Sequence, residues 1–115
     1  MAKIDYNKAI RDKIPEIIEK SGQKCKVDSL SDGDFLKELE KKLIEELNEY
    51  QESKSVEELA DILEVIYRIS SLRGTTQEQL DKIRMNKATD RGAFENNLFL
   101  ISSETVKWNN GLESK

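Results

Sequence analysis

The sequence predicts an all-α protein built on an antiparallel helical hairpin with shorter helices beside it. Three observations predict this. Apolar residues recur at three- and four-residue intervals through the middle of the chain. Serine or threonine stands three residues ahead of an acidic residue where each run begins, which is the pattern of a helix N-terminus. There is one proline and only five glycines, fewer than strand-and-turn folds use. Charged residues reach 37%, matching the hydrophobic share, as long half-exposed helices require.

A chain of 115 residues is expected to form one domain, here residues 1–103, followed by an unassigned polar tail, 104–115. The first element is a short helix over about residues 13–21. Asp12 is placed to cap it, Pro15 lies in its first turn and Gly22 follows its end. Residues 24–30, KCKVDSL, alternate weakly and read as a short strand or extended segment. Ser31 opens a long helix running to about Glu52, with Leu36, Leu39, Leu43, Leu47 and Tyr50 on one stripe. Ser55-x-x-Glu58 opens the next, whose stripe is Leu59, Ile62, Ile66 and Ile69 and which ends at Gly74. Thr75-x-x-Glu78 opens a further helix ending at Gly92, and residues 97–102, NLFLIS, read as a second short strand.

About three residues join the two long helices, so they are expected to lie antiparallel. The acidic pairs Glu46-x-x-Glu49 and Glu58-x-x-Asp61 then fall at one level of the hairpin. At about 100° per residue, Glu46 is about 60° from Leu43 and Glu49 about 120°. Glu58 is about 40° from Ile62 and Asp61 about 100°. Each helix thus carries one acid near its packing face and a second at the edge. A carboxylate there must find a cation or give up its charge. Glu58 has another available role, as the capping partner of Ser55, and acidic pairs on helices are often only a solvated face.

The chain contains no histidine, which excludes Ser–His and Cys–His nucleophiles and imidazole metal sites. A metal would be held mainly by oxygen, favouring Mg²⁺, Mn²⁺ or Ca²⁺ over Zn²⁺. The lone Cys25 permits no internal disulfide and reads as a small buried hydrophobe. The net charge of −4 argues against a nucleic-acid polymer as partner. No apolar run approaches the roughly 20 residues of a membrane span, and the opening MAKIDYNK lacks a signal-peptide core, so a cytoplasmic location is expected.

The acidic pattern EELNE…EELADILEVIY, the opening YNKAIRDKIPEIIEKSGQKCKV and the later KATDRGAF resemble the all-α NTP pyrophosphohydrolase superfamily, in its MazG-like, phosphoribosyl-ATP pyrophosphohydrolase-like branch. The resemblance spans roughly residues 6–101. It implies cleavage of a nucleoside triphosphate or related nucleotide between the α and β phosphates, giving monophosphate and pyrophosphate. It implies Mg²⁺, with Mn²⁺ as substitute, and metal ligands at Glu46, Glu49, Glu58 and Asp61. It also implies a homodimer or homotetramer in which the hairpins complete a four-helix core. The spacer from Tyr50 to Glu57 is short for such a family, and the motif occurs once.

Phosphates need cations. Arg84, Lys87 and Arg91 lie on one stripe of the last helix, and the resemblance favours Lys87 and Arg91; a solvated basic face is the alternative. Arg11 and Lys13 are further candidates, with salt bridges to Asp12 or Glu16 as the competing role. Glu45, one turn before Glu49, is the candidate to orient or deprotonate the attacking water. Tyr50, Tyr67, Phe94 and Trp108 could stack on a base or fill a core or interface. The competing expectations are a non-catalytic helical interaction module and a divalent-cation-binding domain without turnover.

Overall fold

The computed structural model describes residues 2–107 and 113–114; Trp108 and Leu112 lie outside the described residues. The fold is all-α, with helices α1 (Ile14–Lys20), α2 (Asp32–Ser53), α3 (Val56–Leu72) and α4 (Gln77–Arg91). A two-residue antiparallel pairing joins β1 (Val106–Lys107) and β2 (Glu113–Ser114), with Val106 opposite Ser114. The chain forms two compact units, Met1–Lys82 and Ile83–Lys115.

Local chemistry sets the helix ends. The Ser31 hydroxyl accepts from the Asp34 N–H at 3.2 Å and caps α2. Lys54 adopts the left-handed conformation after α2 and Ser55 caps α3, so only two residues turn the hairpin. α3 closes through paired bonds from Gly74 N–H to the Ser71 carbonyl and Thr75 N–H to the Ser70 carbonyl, which need Gly74 at φ +87°. Gly22 closes α1 in the same way.

Four expectations are corrected. Asp12 does not cap α1: Lys13 occupies that position without a side-chain bond. The capping box of α4 is Thr76 with Gln79, reciprocal at 3.1 and 2.9 Å, one residue beyond Thr75 and Glu78. Residues 24–30 and 97–102 are not strands, because neither has a neighbouring strand to supply ladder bonds. Leu98, Phe99, Leu100 and Ile101 are all strongly exposed.

The core of the first unit is small. Ala9, Leu39 and Val65 are buried together, with Phe35, Leu43, Ile69 and Leu72 packed around them. Two core members lie on α2 and α3. The third, Ala9, lies in the irregular segment before α1, so that segment is pinned onto the hairpin. At the hairpin's open end Arg73 Nη2 donates to Glu40 Oε2 at 3.5 Å. Leu47 and Leu59 of the expected stripes stay exposed. Among the described residues no helix is long and apolar enough to cross a membrane.

Candidate metal centre

Glu46 is 7% exposed, the most buried charged residue among those described. Its phase on α2 carries it to the seam with α3, as the helical count predicts. Glu58 and Asp61 come up from the first turns of α3, both half-buried. One carboxylate oxygen each from Glu46, Glu58 and Asp61 lies within 4.8 Å of the others.

Glu58 is free to be there because its competing role is taken. The Ser55 N–H donates to Ser53 Oγ at 3.1 Å, and the Ser55 hydroxyl accepts from Glu57 N–H rather than joining a reciprocal box with Glu58. The Glu58 carboxylate therefore turns to the seam instead of folding back on the cap.

Charge balance at the cluster is incomplete. Lys42 Nζ lies 3.5 Å from Glu46 Oε1, one turn away on α2. Arg11 Nη2 donates to Asp61 Oδ1 at 2.7 Å. The other oxygens, Glu46 Oε2 and Glu58 Oε2, are buried and meet no donor. Such groups carry an uncompensated desolvation cost. Burial, then a contact with Glu46 and the charge of Glu49, push the Glu58 carboxyl up to about 7. Two ionised carboxylates cannot hydrogen-bond each other, so that contact becomes a bond only when a proton sits between them. The charge of Glu46 and a contact with it also raise Glu49, which is exposed at the rim. Glu49 and Glu58, each facing Glu46, therefore hold their protons more tightly than isolated carboxylates do.

The residues fit an oxygen-ligated divalent cation. The three oxygens lie close enough together to serve one cation whose oxygen ligands stand at about 2.1 Å for Mg²⁺ or about 2.4 Å for Ca²⁺. A cation would satisfy both orphaned oxygens and replace the shared proton.

The other residues singled out from the sequence fall into four groups. Glu45 lies one turn before Glu49 and its Oε1 accepts from Lys8 Nζ at 3.2 Å. Arg84, Lys87 and Arg91 lie on the exposed surface of α4 in the second unit, whereas the cluster lies within the first. Tyr50 has Lys54 Nζ 5.6 Å from its ring centroid, Tyr67 is half-buried and Phe94 is fully open to solvent. Cys25 is half-buried, its thiol facing the Pro15 carbonyl at 3.9 Å.

Sequence reasoning weighed Arg11 only against Asp12 and Glu16 and missed its partner Asp61, which is fifty positions away. It also missed Lys42, whose i,i+4 spacing to Glu46 is a visible signal. The chain matches no family model, no curated protein and no solved structure.

Proposed function

We propose that the chain is a divalent-metal-dependent nucleotide pyrophosphohydrolase, using Mg²⁺ or Mn²⁺. The observation that carries this reading is the convergence of Glu46, Glu58 and Asp61, two of which also keep a buried carboxylate oxygen with no donor, Glu46 Oε2 and Glu58 Oε2. A structural acidic cluster would be expected to turn such oxygens to water or to a donor.

Glu46, Glu49, Glu58 and Asp61 would hold the cation. When bound, it supplies charge neutralisation and alignment for a phosphate chain. Glu45, one turn before Glu49, is proposed to orient the attacking water and take its proton on the carboxylate. Water adds at the α phosphorus while the bond from that phosphorus to the bridging oxygen breaks, so monophosphate and pyrophosphate leave. No histidine or serine nucleophile is needed, which suits a sequence without histidine. Lys87, Arg91 and Arg84 are proposed for the phosphate tail on the spacing of α4 and the family resemblance.

The active form is proposed to be a homodimer or homotetramer. Ile44, Val56 and Leu63 leave apolar surface open on the hairpin, at 62%, 77% and 46% exposure, and a second hairpin would cover it.

A second reading draws on the bridges Arg11–Asp61 and Lys42–Glu46. They favour a non-catalytic helical module whose acids are paired internally. Among the described residues, cations pair with two of the four acids, Asp61 and Glu46, which weighs against that module. Incubating the protein and Mg²⁺ with a panel of nucleoside triphosphates decides between them. Pyrophosphate release with matching monophosphate supports the enzyme; failure to bind Mn²⁺ supports the module.

A further inference from the structure

We infer that Arg11 is a phosphate-binding residue of this centre, held on Asp61 until a divalent cation takes that carboxylate. The inference rests on the reading of the acidic cluster as a divalent-cation site and names the group that meets the substrate's phosphates at its rim.

Arg11 is not part of a loose tail. Ala9, two residues earlier, is 6% exposed in the core against Leu39 and Val65. Lys8 is tied to Glu45 at 3.2 Å. These contacts on either helix of the hairpin fix the segment over the acidic end. The Arg11 side chain is 54% exposed and that of Asp61 41%, so the bridge lies at the mouth of the cluster. Lys42, at 16% side-chain exposure, is the inner cation. Of the two cations that touch the acids among the described residues, Arg11 is the one that faces a ligand arriving from solvent.

Its chemistry suits a phosphate. A guanidinium offers five N–H donors in a planar fork that matches a phosphate's oxygens two at a time. One of them meets Asp61 Oδ1. A divalent cation drawing on Asp61 would compete for the same oxygen and repel the guanidinium. The freed fork would then sit beside a phosphate chain bridged to that cation.

Such a handover has opposite signs for its two ligands. Without Arg11, the metal faces no competitor and more negative charge. The phosphate loses its fork. A residue that merely supports the fold would shift both affinities in the same direction.

The test uses Arg11→Gln in the full chain, with Lys20→Gln as a charge-matched control at the far end of α1. Calorimetry first measures Mn²⁺ alone, then inorganic triphosphate in saturating Mg²⁺, a probe that needs no assumption about the base. For Arg11→Gln, Mn²⁺ affinity is expected to rise at least twofold. Triphosphate affinity is expected to fall by about tenfold, the scale of a lost charge-assisted hydrogen bond. Lys20→Gln should change neither. Arg11→Lys, which keeps the charge without the fork, should retain the wild-type fold and bind triphosphate less tightly than wild type. That variant decides the matter if Arg11→Gln misfolds. Parallel loss of both ligands, or unchanged triphosphate binding, overturns the role of Arg11 while leaving the metal centre standing. Absence of Mn²⁺ binding by the wild type removes both.

Discussion

Arg11 donates to Asp61 at 2.7 Å across fifty positions of sequence, and this bond brings the irregular N-terminal segment to the acidic end of the hairpin. Its partner Asp61 is one of four acids that share too few cations.

Glu46→Gln, Glu49→Gln, Glu58→Gln and Asp61→Asn are each expected to weaken Mn²⁺ binding by at least about tenfold, and to remove most turnover. The scale is set by the effect of perturbing even indirect supports of a metal. The metal-free fold survives each change, because each removes one of several mutually repelling charges. Mn²⁺ titration and pyrophosphate release measure this. Wild-type turnover in any two of these variants contradicts the metal centre.

The metal-free protein should lose stability as pH rises from about 4.5 to about 7. Glu58 titrates near 4.5 unfolded and about 7 folded, so the folded state holds more proton between those values and its advantage is lost across the window. Glu49, raised in the same direction, adds to the trend. Thermal melts in a chelator at pH 5, 6, 7 and 8 test it. The difference between wild type and Glu58→Gln should follow this window and level off above it; a flat difference rejects the assignment.

Glu45→Gln should lose turnover while keeping Mn²⁺ affinity. The carboxylate faces Lys8 at 3.2 Å and lies one turn before Glu49 on α2. Unchanged turnover would make Glu45 only the anchor of Lys8.

Ser53→Ala, a change outside the cluster, is expected to lower Mn²⁺ affinity. The Ser55 N–H loses its acceptor, and the Glu58 carboxylate is the alternative acceptor that a capping box supplies. Glu58 would be drawn away from Glu46. Helix content by circular dichroism should stay constant while the metal titration weakens. An unaltered titration would show that the cap and the site are independent.

Light scattering at micromolar concentration should report at least a dimer. Ile44→Glu, on the exposed apolar surface of α2, should shift the population toward monomer. A wild-type monomer that binds no apolar dye would contradict the proposed assembly.

The hairpin and its acids were legible because helical phase is a local property. Counting from Leu43 and Ile62 put Glu46 and Glu58 near the seam, and there they lie. The short connection was legible too, although Lys54 and Ser55 alone make it. The N-terminal segment was not, because Ala9 and Arg11 belong to no periodic run and their partners lie far along the chain. The strand readings of segments 24–30 and 97–102 failed because strand formation needs a partner that a local pattern does not supply; 24–30 keeps its other reading, as a segment outside helix and strand. The switch of Ser55 from Glu58 to Ser53 turns on two hydroxyls two positions apart, for which the motif is blind.

The two-residue link between α2 and α3 has a consequence for the order of folding. Glu46 and Asp61 are fifteen positions apart, so closing the hairpin gathers the quartet through a short loop, which forms quickly and at small entropic cost. Arg11 arrives only when the distant N-terminal segment docks, a slower non-local step. The nascent hairpin must therefore pass through a stage with its acids together and Arg11 still away. A divalent cation present at that stage would take the place of the late guanidinium, and refolding in millimolar Mg²⁺ should outpace refolding in a chelator.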